Sequence, residues 1–310
     1  MNHIARLRRA DLAGILSFLI LWGGSVAYLA AAGADWVFPL VSLGVFGILL
    51  SAIAWWTSRG GDTAPVAVAR PALESTVLLA YLALYAIGFL GWGLTAARAA
   101  LPPGPGQEWL VLAVKLAVHV VVPAMLLLAL GARLGPLLQA RLGQRPVWLT
   151  LIVLGALILG LLCVVSPSLT EIAALEPTAA QLAWVLPLGF LWMALEAGLC
   201  EEFLYRAVLQ TRLTAWFGSA WAGIAATSVL FGLAHTPGLY LRGGPGVDGW
   251  STDPWQVAAY AIATLAPLSL LFGFIYHRTK SLLLVVLLHA CVNVLPNTAE
   301  FIGIWARPGP

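Results

Sequence analysis

Three short runs in the final third of the chain carry the residue types that water-activated hydrolysis requires. The first reads Glu201, Glu202, Phe203, Leu204, Tyr205, Arg206, and it packs two carboxylates and a guanidinium into less than two helical turns. Glu202 and Arg206 stand at i and i+4 with the acid first, the order that pairs well on a helix, so Arg206 can neutralise one carboxylate. Glu201 lies about 100° further round the helix and is left for other work. The second run places Phe231 four residues before His235, and the third places His289 four residues before Asn293, on one helix face. Amide hydrolysis by water needs a base for the water, an acid for the leaving amine and donors for the oxyanion; glutamate, histidine and asparagine supply all three.

Other ionisable residues also fall inside apolar sequence. Lys115 and His119 share a helix face, where they could line a cavity or simply meet a carbonyl or an acidic partner. Glu196 sits five residues before Glu201 and could be pore-lining, protonated, interfacial or a support for the site. Cys163, Cys200 and Cys291 lie in apolar stretches without metal-type spacing and read as small buried hydrophobes. The glycines among residues 243–249 suggest a turn; no strand precedes them and no lysine-bearing helix follows, so phosphate cradling is not implied.

These residues must be positioned by membrane helices. Of the 310 residues 61% are apolar and 9% charged, against roughly 25% charged in a soluble domain. Apolar runs long enough to cross a hydrocarbon core of about 30 Å recur along the chain. Expected spans are 13–29, 38–56, 77–97, 110–130, 149–165, 182–213, 220–234, 257–276 and 282–296. The fold class is therefore all-α, a polytopic transmembrane helical bundle of about nine spans, eight being the alternative count. The first run is longer than a signal-peptide core, so cleavage there is not expected. At 1.5 Å per residue Glu201, His235, His289 and Asn293 lie roughly 18, 24, 13 and 20 Å in from one membrane face, so all four can meet in one layer.

A cytoplasmic N-terminus puts Arg6, Arg8, Arg9, Arg59, Arg70, Arg133, Arg141, Arg145, Arg206, Arg212, Arg278 and Lys280 on the inner side and only Arg98, Arg242 and Arg307 on the other. That asymmetry favours N-in and C-out. The net charge of +3 then reflects topology and contact with the lipid bilayer, and no nucleic-acid partner is implied. Arginine outnumbers lysine 14 to 2, which hints at a GC-rich bacterial source and a plasma membrane. Residues 1–175 read as divergent N-terminal spans, 180–297 as the catalytic core and 298–310 as a short tail. Segments 166–179 and 236–255 read as outer loops.

Taken in order, EExxxR (Glu201, Glu202, Arg206), FxxxH (Phe231, His235) and HxxxN (His289, Asn293) resemble the CPBP family of intramembrane endopeptidases, also called the type II CAAX prenyl endopeptidase-like or ABI family. The resemblance covers about residues 185–296 and implies that Glu201 and His235 activate the attacking water. It further implies that His289 and Asn293 form the oxyanion hole while Glu202 and Arg206 order the site, with Phe231 packing in the second motif. Ala207 stands where many members of the family have glycine.

The resemblance leaves room for a divalent metal such as zinc, which Glu201, His235 and His289 would then hold; the absence of an HExxH helix favours metal-free catalysis. The expected partner is a peptide or membrane-protein substrate. Two other classes remain open at this point. One is a non-catalytic scaffold or bacteriocin-immunity-type protein, against which the complete set of buried charges argues. The other is a proton-coupled transporter with Lys115, His119, Glu196 and Glu201 as its relay.

Overall fold

The computed structural model describes residues 9–61 and 63–306, and it is helical wherever the apolar runs predict spans. Arg6, Arg8 and Arg307, and the last four residues of the expected tail, lie outside the described residues. Nine described helices are long and apolar enough to cross a membrane. They are α1 (Arg9–Ala31), α2 (Val37–Thr57), α3 (Pro71–Ala99), α4 (Pro105–Ala129), α5 (Arg145–Val165), α6 (Ala179–Phe217), α7 (Ala220–Arg242), α8 (Pro254–Thr279) and α9 (Leu282–Trp305). With no water in the hydrocarbon region, a backbone that satisfies its own polar groups is the available solution, and these helices are that solution.

Helices α7 and α8 pack along one another, α1 lies against both, and α9 packs against α6 and α5. Helix α8 is the most buried of the nine, whereas α1 and α2 keep most of their surface on the outside of the bundle, where an apolar surface suits lipid. Two glycines permit the closest approaches. A Cβ on Gly198 would stand 2.6 Å from the Val286 carbonyl oxygen, so α6 and α9 touch backbone to backbone just before the Glu201–Glu202 pair. A Cβ on Gly232 would stand 2.7 Å from the Ala261 carbonyl oxygen and would force α7 away from α8.

The ends of the helices differ from expectation in three places. Segment 166–179 contains a short helix, Ser168–Ala174. Helix α7 runs through His235 and Pro237 to Arg242, so the loop expected from residue 236 begins only after it. Helix α9 runs through Pro296 to Trp305, so most of the expected tail is helical. Proline deletes one backbone donor, but within a bilayer the other polar groups have no better partner than their own helix, and the helix continues. Start signals are plain in the sequence. Thr178 and Gln181 form a capping box at the head of α6, and Ser219, Asp253 and Ser281 each accept a backbone N–H at the heads of α7, α8 and α9.

Candidate active site

Helix α6 spans 39 residues and is wound as π-helix over Ala194–Leu199 and again over Phe203–Gln210, with Cys200–Glu202 between. Such wide turns recur at functional sites. They present Glu201 and Glu202 at the layer where α9 comes closest.

Glu202 is fully buried and is held from two directions. Its Oε2 accepts from Arg206 Nε at 2.9 Å, and its Oε1 accepts from His289 Nδ1 at 2.7 Å. Arg206, also fully buried, donates from Nη1 to Ser269 Oγ on α8 at 2.8 Å, and its guanidinium carbon lies 5.4 Å from the centre of the Phe231 ring on α7. One ion pair thus ties α6 to α7, α8 and α9. Its desolvated charges are tolerable only because each is paired and hydrogen-bonded.

His289 stacks on Phe272, ring centres 5.2 Å apart, and its second nitrogen, Nε2, faces Glu201 Oε2 at 3.7 Å. That gap is too long for a direct hydrogen bond and suits a bridging group. Glu201 keeps partial exposure, and His289, His235, Lys115 and His119 all lie within charge–charge range of its carboxylate.

His235 is half-buried and bonds through Nδ1 to the Phe231 carbonyl oxygen at 2.7 Å. A carbonyl only accepts, so Nδ1 carries the hydrogen and the lone pair of the neutral ring sits on Nε2. The Phe231 ring packs between Tyr205, at 4.9 Å, and His235, at 4.6 Å. His235 also lines a mainly apolar groove of about 410 Å³ between α7 and α8, with Leu239, Val247 and Leu265 among its walls. Asn293 is half-buried; its backbone oxygen accepts from Asn297 Nδ2 at 2.8 Å, and its own amide makes no hydrogen bond with a described residue.

The structure therefore brings Glu201, Glu202, Arg206, Phe231 and His289 into one connected cluster, with His235 at its edge. Asn293 sits one turn beyond His289 and makes no hydrogen bond to either carboxylate. Sequence reasoning missed Ser269, which anchors Arg206, Phe272, which fixes the His289 ring, and Tyr85, whose hydroxyl bonds His119 Nε2 at 2.7 Å. Each stands on a different helix from its partner and carries no motif of its own. Lys115 meets an acidic partner, Glu196, at 2.7 Å, and His119 Nδ1 bonds the Lys115 carbonyl, the bland roles weighed for both.

For a metal, Glu201, His235 and His289 are the donors to consider. His289 Nδ1 is taken by Glu202 and His235 Nδ1 by a carbonyl, which leaves Nε2 of each ring as the nitrogen open to an ion. Among the described residues no group of three histidine, cysteine, aspartate or glutamate side chains is arranged to hold an ion.

Residues 182–295 match the family model described as type II CAAX prenyl endopeptidase Rce1-like. The matched segment holds all three motifs and runs from near the start of α6 into α9. No curated protein and no solved structure matches the chain.

Proposed function

We propose that this multi-pass membrane protein, whose residues 182–295 form a domain of the CAAX-protease-like family, is an intramembrane endopeptidase hydrolysing a peptide bond in a membrane-associated protein or peptide. The observation that carries the reading is the His289 imidazole between two carboxylates, clasped by Glu202 at 2.7 Å and facing Glu201 at 3.7 Å. Glu202 already has both oxygens engaged, so Glu201 is the carboxylate left to work on water.

In this mechanism the attacking water lies between Glu201 and His235. Glu201 takes its proton, and the open Nε2 of His235 orients the water through its lone pair. As the tetrahedral intermediate forms, its oxyanion receives hydrogen bonds from the Asn293 amide and from Nε2–H of His289, which acts as an imidazolium with its Nδ1–H on Glu202, one turn from Asn293 on α9. Glu201 then returns the proton to the leaving amine. Arg206 and Glu202 touch no reacting atom; they fix the orientation of the His289 ring. The apolar groove beside His235, about 410 Å³ in volume, is where an unwound substrate segment enters. The chemistry is metal-free, and we assign the protein to a bacterial plasma membrane with a cytoplasmic N-terminus.

The test is cleavage of a quenched peptide library by purified protein in detergent, comparing wild type with Glu201→Ala and His235→Ala, each with and without a strong chelator. Cleavage that needs both residues and ignores the chelator supports the proposal. Loss of cleavage in chelator would make the protein a metalloenzyme, and cleavage untouched by either substitution would refute the site.

A further inference from the structure

A buried hydrolytic carboxylate in a membrane needs a supply of water, and the apolar groove at His235 is a poor one. A second opening is polar. At the end of the bundle that carries Arg98 and Trp305, a cavity of about 70 Å³ is lined by Arg98, Glu108, Met193, Glu196, Asn297 and Glu300. At about 30 Å³ per molecule it holds about two waters, with ample polar partners for each.

Among its lining residues is Glu196, which accepts from Lys115 Nζ at 2.7 Å, and the stretch of α4 just past Lys115, Ala117–Val121, packs against the Cys200–Glu202 turn that carries Glu201. Lys115 is ten residues into α4, roughly 15 Å along the helix, and α4 lies wholly outside the family-matched segment. Asn297, on the same cavity wall, donates to the Asn293 carbonyl at 2.8 Å. From the cavity to Lys115, each step is a polar side chain.

Burial separates a conduit from a clasp. Both side chains of the Glu202–Arg206 pair are 0% exposed, as a purely structural ion pair should be. Those of Lys115 and Glu196 are 13% and 17% exposed although they stand inside transmembrane helices. Charges there are costly, and the hydrolytic motifs give no reason for these two. We propose that this cavity, with Lys115 and Glu196 as its inner passage, is the aqueous inlet through which water reaches Glu201, so that α4 is a working part of the site. The proposal extends the hydrolytic reading above and rests on it for the purpose of the inlet, though not for its existence.

The test uses thiol labelling of the full chain with Cys163, Cys200 and Cys291 replaced by alanine and single cysteines then introduced. Met193→Cys keeps every charge of the cavity, Lys115→Cys reports the passage beyond it, and Ile20→Cys, 71% exposed at the middle of α1, is the lipid-facing control. Purified variants in lipid nanodiscs are treated with a charged, water-soluble methanethiosulfonate. Reaction at Met193→Cys and Lys115→Cys at least tenfold faster than at Ile20→Cys is expected. Met193→Cys as slow as the control overturns the inlet, and so does a fast Met193→Cys beside a slow Lys115→Cys, which would make the cavity a closed surface pit. Labelling needs no cleavage, so either failure leaves the hydrolytic reading standing. Fast labelling in a protein that cuts nothing supports the inlet and sinks the hydrolytic reading instead.

Discussion

Removing the charge of Arg206 tests whether Glu202 is a structural clasp. The two groups are 2.9 Å apart and both fully buried. At an effective dielectric of 20 their attraction is about 6 kcal/mol before desolvation is counted. Arg206→Met leaves Glu202 with only His289 to answer its charge, and stranding one partner of a buried pair costs about 3–5 kcal/mol. Glu202→Gln strands Arg206 in the same way. The double variant strands neither, so its loss should fall short of the summed single losses by about 2–3 kcal/mol. A neutral interhelical hydrogen bond in a membrane protein averages about 0.6 kcal/mol, so coupling of this size identifies the ion pair. Unfolding in mixed micelles with a denaturing detergent, followed by the fluorescence of the 14 tryptophans, provides the measurement. Additivity within about 0.5 kcal/mol would refute the argument and make Glu202 and Arg206 independent residues.

Three further outcomes are expected. Glu201→Gln should abolish hydrolysis while shifting unfolding by about 1 kcal/mol or less, because its nearest cationic atom is 3.7 Å away; a loss as large as that of Arg206→Met would make Glu201 structural. Gly198→Ala should cost about 1–3 kcal/mol and slow hydrolysis, since the new methyl meets the Val286 carbonyl and pushes α9, with His289, off α6; unchanged stability and rate would show that the helices are not in contact there. At the head of α8, Asp253 accepts from the Tyr28 hydroxyl at 2.6 Å, and that bond, with the Trp255 N–H, holds its carboxyl below its ordinary value of 3.8. A depressed acid stabilises the fold above its unfolded value and loses that contribution as pH falls through the folded one. Asp253→Asn should therefore flatten the acid side of a pH–melting profile and leave the neutral region nearly parallel to wild type, and an unchanged acid limb would count against the contact.

Much of this was legible because membrane helices write themselves plainly. Nine apolar runs become nine described helices, and the i, i+4 spacing of Glu202 and Arg206 foretells their contact. Helix ends were less legible where proline stood near them: Pro237 and Pro296 look like terminators by the rules of soluble proteins, yet α7 and α9 run through both. Contacts between distant helices were the least legible. Nothing local to Ser269 or Phe272 marks either as a support for the site, since both are ordinary residues of an apolar helix and act only through partners brought in by the fold. Lys115 and Glu196, 81 positions apart, were each visible as a misplaced charge, but their pairing was not. Of the four groups expected to meet by depth along their helices, Glu201 and His289 come within 3.7 Å because Gly198 lets α6 and α9 close, and that is a feature of packing that no spacing reveals.

The central claim is that Glu201 acts as a base on water and does not itself attack the substrate. Single-turnover cleavage of a peptide by excess enzyme in ¹⁸O water, with mass spectrometry of the new C-terminal fragment, addresses it directly. The account predicts one ¹⁸O atom in the new carboxylate from the first turnover, with no label entering Glu201. An unlabelled product carboxylate, with the ¹⁸O found instead in the Glu201 side chain, would contradict it and make that residue a nucleophile.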